Sequence, residues 1–162
     1  MDISMFTGFE GRINRAKWWL GTVILVVVGI ILWWIIAKIL GASMMPVDAA
    51  TARSLAVVQL ITFVILVYPG LSIMMKRLND RDRPSWYAYV FLLPTVLSIV
   101  LGLAGLTMTT TDVGGVAMPG PSSLGWILNL LSLAVGIWAL IELGILRGTT
   151  GPNQHGPDPL AA

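Results

Sequence analysis

The chain has 162 residues, 56% of them hydrophobic and only 11% charged, with a formal net charge of +2. Soluble domains carry about 25% charged residues, so this much apolar surface exceeds what one soluble core can hide, and an integral membrane protein is implied. The absence of cysteine excludes a disulfide scaffold, a thiolate metal site and a cysteine nucleophile.

In chain order, the N-terminal stretch comes first. Ile3, Phe6, Phe9 and Ile13 recur every three to four residues, as they would on one face of a helix, although Gly8 and Gly11 weaken that reading. Arg12, Arg15 and Lys17 follow, then Trp18 and Trp19. The pattern predicts a short interfacial segment, with aromatics at the headgroup level and cations reaching phosphates. A disordered N-terminus is the alternative.

Four apolar runs follow, predicted as spans at about 18–39, 54–75, 86–106 and 124–146. A crossing needs about 20 apolar residues. The first run has tryptophan pairs near both ends, Trp18/Trp19 and Trp33/Trp34, and Lys38 just beyond. It is too long for the apolar part of a signal peptide and is read as an uncleaved anchor. A polar turn with Pro46 and Asp48 leads to the second run, where Pro69-Gly70 suggests a kink or break. Trp86, Tyr87 and Tyr89 open the third run, which Pro94 should bend. Residues 107–123, rich in Thr, Gly and Pro, read as an exposed loop. The fourth run holds Asn129, Ser132, Gly136 and Glu142. The tail, 147–162, contains GTTGPNQHGPDPL, a composition that favours turns.

Between the second and third runs lies KRLNDRDRPSWY, residues 76–87, the most charged part of the chain. Of the ten Lys and Arg residues, eight fall in the N-terminal segment, this hub and the start of the tail; only Lys38 and Arg53 lie elsewhere. Loops rich in Lys and Arg stay cytoplasmic. The expected fold is therefore an all-α single membrane domain, a four-transmembrane-helix bundle. Both termini and the loop 76–85 would be cytoplasmic.

Much of the hub's charge is explained by orientation alone. Asp80 is the exception, since an orientation signal needs no carboxylate. It is expected to cap the third helix or to pair with Arg77 or Arg12. Glu142 opposes the helix dipole at the inner edge of the fourth run and wants a cation; Arg147, Lys76, Arg77 and Arg15 are the candidates. Gln59, Ser98, Asn129 and Ser132 are expected to hydrogen-bond between helices. Gly21, Gly29, Gly102, Gly105 and Gly136 are read as close-packing points, and the methionine pairs 44/45 and 74/75 as apolar packing. With one histidine, His155, and no cysteine, no metal site or cofactor is expected, and the few basic residues argue against nucleic-acid binding.

Three segments together resemble the DUF805 family, the YhaH-like small bacterial inner-membrane proteins. They are Gly11-Arg12 with Arg15 and the Trp18-Trp19 pair; the hub, similar to R-R-L-H-D-x-G-R-S-G-W-W; and the tail, matched at Gly151, Asn153, Gly156, Asp158 and Pro159. The chain departs from the pattern at Asn79, where histidine is usual, and at Asp82 and Ser85, where glycine is usual. The resemblance implies a bacterial cytoplasmic membrane and a helical bundle, and supplies no activity. The leading expectation is a non-enzymatic membrane module. Its inner surface, built from Arg12, Arg15, Arg77, Asp80, Arg83 and Asn153, would bind membrane lipids or a protein partner. A homo-oligomeric small channel or transporter with Glu142 in its pathway is the alternative. A lipid-modifying enzyme using Asp80, Asp82, Asn153 or His155 has the least support.

Overall fold

The computed structural model describes residues 3–42, 48–113 and 115–161. Met44, Met45 and Pro46 lie outside them. Four α-helices follow a single 3₁₀ turn, Ile3–Phe6: α1 (Arg15–Ile39), α2 (Ala49–Asp80), α3 (Tyr87–Leu103) and α4 (Ser123–Ala139), the last continued by a π-helical turn, Leu140–Ile145. Three of these are long and apolar enough to cross a membrane, Arg15–Ile39, Ala50–Asp80 and Ser123–Ile145, while Tyr87–Leu103 is a shorter apolar helix. Only 11% of the most apolar stretch of α1 is buried within the protein. A helix that is apolar all round and so little buried must present the remainder to lipid.

Three of the four helices start on a side-chain cap. Asn14 Oδ1 accepts from the Lys17 amide (2.9 Å), Asp48 Oδ1 from Thr51 (2.8 Å) and Ser122 Oγ from Gly125 (3.0 Å), opening α1, α2 and α4. These bonds satisfy orphan amides of the first turn. Hydrogen bonds from two backbone amides to Asp48 and Asp158 carboxylates hold both acids below the usual carboxylate range; Thr51 is the main donor to the first and Leu160 to the second.

The expectations for α2 and the hub need correction. Residues 76–80 are not loop: α2 runs without interruption through Pro69-Gly70 to Asp80. It ends in a Schellman motif, with Arg83 N donating to Leu78 O (2.9 Å) and Asp82 N to Asn79 O (3.1 Å). Asp82 occupies the left-handed position of that motif, φ 52°, where the resembled pattern carries glycine. The backbone, rather than a side-chain function, accounts for glycine there. Asp82→Gly is expected to leave thermal stability unchanged or raise it by up to about 1 kcal/mol. Asp82→Val should lower it by about 1–2 kcal/mol, because a β-branched side chain fits this conformation worst. Thermal unfolding of both variants in detergent checks the pair.

Residues 107–123 are likewise not an irregular loop. Met108–Val113 (β1) and Val116–Pro121 (β2) form an antiparallel hairpin, Thr110 opposite Pro119 and Asp112 opposite Ala117. The signal was present: a threonine-rich, β-branched run and Gly114-Gly115 between two strands. The chain is therefore mostly helical, and the all-α expectation fails at this hairpin.

The N-terminal segment is a strap and not a helix. After the 3₁₀ turn, Gly8 and Gly11 take positive φ (72° and 85°), and the side chains buried are Met5 and Ile13, while Ile3 is exposed. The predicted single face of Ile3, Phe6, Phe9 and Ile13 is thus replaced by alternate burial along an irregular path.

The residues fall into two compact units, Met1–Gly29, Ile65–Leu92 and Val135–Ala162 in the first, and Ile30–Val64 with Leu93–Ala134 in the second. The core of the first is Met5, Ile13, Trp18, Ile73, Met75, Leu78, Ala88 and Leu143. Trp138 adds ring contacts with Tyr87 and Phe91, centroids 5.4 and 5.0 Å away. Gly21 lies against Met5 and Ile73, as a close-packing point should, and in the second unit Gly102 lies against Ala56, whereas Gly136 faces open space. Gly105 has φ 75° and ends α3, and it is a close-packing point as well, since a Cβ there would lie 2.9 Å from Arg53 Nε.

Candidate functional site

The strap is held by one face of α2. Tyr68, Ser72, Lys76 and Asn79 stand at helical spacing along it. Tyr68 Oη accepts from Gly8 N (3.2 Å). Ser72 Oγ is directed at the carbonyls of Gly8 (2.6 Å) and Met5 (3.1 Å). Lys76 Nζ donates to Thr7 O (2.8 Å) and to Ser4 O. Asn79 Nδ2 donates to Phe9 O and Gly11 O, both 3.1 Å. Carbonyls that an irregular strap leaves unpaired are thereby satisfied. Position 79, where the resembled pattern has histidine, serves here to anchor the strap. Among the described residues, Asn79 Oδ1 and Trp18 Nε1 are buried without a hydrogen-bond partner.

The strap delivers Arg12 to Asp80. Arg12 Nη2 lies 3.1 Å and Nε 3.2 Å from Asp80 Oδ1, and the two side chains are only 1% and 4% exposed. Asp80 Oδ2 pairs with Arg77, three residues earlier on α2, whose side chain is fully buried. The two alternatives for Asp80, Arg12 or Arg77, are both realised, one on each oxygen, and capping of α3 is not. Such an arrangement of two guanidiniums on one carboxylate is strongly charge-assisted.

The same two arginines tie in the end of α4 and the tail. Arg12 Nη1 donates to Gly151 O (2.8 Å) and Gly156 O (3.2 Å), and Nη2 to Thr149 O (2.7 Å) and Thr149 Oγ1 (3.1 Å). Asp80 O accepts from Thr149 N (2.8 Å) and Oγ1 (3.0 Å). Asn153 Nδ2 donates to Asn79 O (2.9 Å), and Asn153 and Gly156 close a small backbone bridge. Gly148 sits so close that a Cβ there would overlap the Asp80 carboxylate.

Five consecutive carbonyls at the end of α4 are capped from outside. Arg77 donates to Leu143 O (2.7 Å) and Leu146 O (2.5 Å), Trp19 Nε1 to Gly144 O (3.2 Å), Arg15 to Ile145 O (2.9 Å) and Arg81 to Arg147 O (3.0 Å). Helix C-termini leave these groups orphaned and carry partial negative charge, so cations are the natural caps. The π-turn, closed by Leu146 N on Ile141 O (3.0 Å), widens the helix where Gly144 admits Trp18 and Trp19 at 2.9 and 3.0 Å from its would-be Cβ.

Glu142 is buried on that turn, and its partners differ from those expected. Arg81 Nε (2.8 Å) and Arg83 Nε (3.1 Å) both donate to its Oε1; Arg147, Lys76, Arg77 and Arg15 do not. These two arginines leave α2 after its last turn, where the chain reverses over α4, and sequence spacing alone does not reveal that reversal. Arg83 remains 47% exposed. Nearby, Gln154 Nε2 donates to Asp82 Oδ1 (2.9 Å), and His155 Nε2 lies 4.0 Å from it. Among the described residues no three of His, Cys, Asp and Glu cluster as a metal site would.

Of the seven residues singled out from sequence, Arg12, Arg77, Asp80 and Asn153 are thus joined in one buried network, Arg15 borders it, and Arg83 and Glu142 form a second ion pair beside it. Sequence reading missed Ser72, Gly148 and Thr149, and it offered Lys76 as a partner for Glu142, whereas Lys76 holds the strap. Their roles depend on which carbonyls approach them, and that information is tertiary. Among the described residues of the first unit, the cations left exposed are Arg15, Lys17, Arg83 and Arg147. A shallow cavity of about 380 Å³ beside Arg15 is lined by Asn14, Arg15, Ala16, Trp19, Gly144 and Leu160.

Comparisons with known proteins follow from this picture. The chain is 22% identical over 154 residues to inner membrane protein YhaH of Escherichia coli (strain K12), covering 95% of this chain and 88% of that one. It is 28% identical over 154 residues to uncharacterized protein YiiR of the same organism, covering 93% and 84%. No solved structure matches. The family described as "Protein of unknown function (DUF805)" matches residues 6–157, a range that takes in the strap, the hub and the tail network. The chain belongs to the DUF805 family, and its apolar helices and its relative YhaH together support an inner-membrane location.

Proposed function

We propose that the chain is a non-enzymatic, four-span protein of the bacterial inner membrane, with both termini in the cytoplasm, and that the inner face of its first unit binds anionic lipid headgroups. The observation that carries this reading is a division of labour among the arginines. Arg12 and Arg77 are used up in internal bonds, while Arg15, Lys17, Arg83 and Arg147 stay exposed beside the interfacial aromatics Trp19, Trp86 and Tyr89. The exposed cations, and not the Arg12–Asp80–Arg77 network, are then the lipid-binding groups.

Two further features support the topology. The first unit contains both termini, the hub and eight of the ten Lys and Arg residues, as an inward-facing side should. At 17 residues, α3 is about 26 Å long at 1.5 Å per residue, short of a bilayer core by a few ångströms that local thinning accommodates. Glu142, buried between two arginines, supports a structural pair over an ion path.

Each cation near an anionic surface is worth about 1 kcal/mol. Replacing Arg15, Lys17 and Arg147 together by glutamine should therefore weaken retention of anionic lipid by about 100-fold, with a loss of stability of no more than about 1 kcal/mol, that of the exposed Arg15 bond to Ile145 O. Native mass spectrometry of the purified protein with defined phosphatidylglycerol and phosphatidylethanolamine mixtures reads this directly. Retention unchanged in the triple variant, or equal retention of the zwitterionic lipid, would sink the proposal.

A further inference from the structure

The second unit holds a cleft of about 290 Å³ whose walls include Gln59 from α2, Ser98 from α3 and Asn129 from α4. Sequence reasoning assigned these residues to hydrogen bonds between helices. The structure does not: among the described residues none of the three side chains has a hydrogen-bond partner. They converge on one open concavity between helices that are otherwise apolar, Ser98 half-buried and Gln59 and Asn129 exposed to it; at membrane depth, where water is scarce, an unmet amide is expensive. Small residues open the space. Ala52, Ala56 and Gly102 lie along its wall, and Gly102 would bring a Cβ to 3.1 Å from Ala56.

The chemistry of the lining selects among occupants. Two carboxamides and the hydroxyls of Ser98 and Thr107 offer both donors and acceptors and no charge, and among the described residues no charged residue lines the cleft. An ion entering it would lose hydration without compensation. A helix from another protein, about 10–12 Å across, is too wide to enter. We infer that the cleft is a hydrated binding site for a small uncharged solute that both donates and accepts hydrogen bonds. This conclusion rests on the second unit alone. It is independent of the lipid reading and of which way the chain is inserted.

Because the natural chain has no cysteine, Ser98→Cys places a single thiol in the cleft with almost no change of volume. The variant, reconstituted in nanodiscs that leave both bilayer faces accessible, is treated with a membrane-impermeant maleimide. Thr110→Cys, on exposed β1, and Val64→Cys, on the exposed apolar surface of α2, are the references. Ser98→Cys should react within about tenfold of Thr110→Cys and at least about 100-fold faster than Val64→Cys. Acetamide, a small uncharged amide used as the probe, should slow the reaction at least about threefold. Equimolar sodium acetate should not, and Gln59→Leu with Asn129→Leu should remove the protection. Labelling as slow as at Val64→Cys would show the cleft to be dry, and equal slowing by acetate would show no selectivity for uncharged solutes. A disulfide-linked dimer through Ser98→Cys would make the cleft an interface between copies. Each of these outcomes overturns the inference.

Discussion

Asp80→Asn is expected to abolish accumulation of folded protein in the membrane, although it changes one oxygen for one nitrogen. The carboxylate neutralises two guanidiniums that are buried with it, and taking away one partner of a buried ion pair costs about 3–5 kcal/mol because the remaining charge is left unpaired. Here two charges are left. The new amide NH₂ would also point a donor at Arg12 or Arg77, which have only donors to offer. Domains are stable by about 5–15 kcal/mol, so a loss of this size empties much of the native state. The contrast with the surface cations gives the test its force: the Arg15, Lys17 and Arg147 variant should remain in the membrane at normal levels. Quantitative blotting of membrane fractions, followed by thermal unfolding in detergent, compares the two. Normal accumulation of Asp80→Asn would show that the network is not what holds the strap, the hub and the tail together.

Gly148→Ala should be nearly as damaging, for a steric reason. The added methyl would lie 2.6 Å from Asp80 Cγ and 2.9 Å from Oδ1, distances that no carbon adopts without displacement. Asp80 cannot yield, since both its oxygens are engaged, and Thr149, the next residue, binds its carbonyl. Overpacking of this kind costs about 1–3 kcal/mol, to which loosening of the arginine pairs adds. Gly136→Ala is the internal control. It lies in α4 with nothing near the would-be Cβ, and alanine there should be neutral or stabilising by up to about 1 kcal/mol. Thermal midpoints of the two variants, measured side by side, separate a specific clash from a general intolerance of alanine for glycine. Equal midpoints would refute the packing described at Gly148.

The two glycines also show the limit of sequence reading. Both were part of, or beside, plausible packing segments, yet only the fold reveals that one abuts a carboxylate and the other faces open space. The same holds for acids. That Asp80 should pair with Arg77 or Arg12 was legible, because a carboxylate among cations calls for a partner and the N-terminal arginines had to lie on the same side; the i,i+3 helical spacing that brings Arg77 within reach was not foreseen, since residues 76–85 were expected to be loop. That Glu142 should pair with Arg81 and Arg83 was not legible, because those residues flank the left-handed Asp82 in the Schellman turn, and their direction is set by the backbone reversal there. The hairpin at 108–121 was legible in principle and was passed over because Thr, Gly and Pro were weighed as loop formers without regard to strand alternation.

What the sequence determined by itself is the class of solvent for each segment. Long uncharged runs bounded by tryptophan and cations imply helices in lipid, since backbone groups there can be satisfied only within the segment, and composition suffices to show it. What only the tertiary structure decided is the fate of the charges. Arginines spaced alike along the chain became either buried crosslinks, as Arg12 and Arg77, or exposed cations, as Arg15 and Arg147. The difference is made by which unpaired carbonyls and carboxylates the folded strap, π-turn and tail bring to each guanidinium. Apart from Asp80, three residues from Arg77, those groups belong to residues 66 to 144 positions away, beyond the reach of any local pattern.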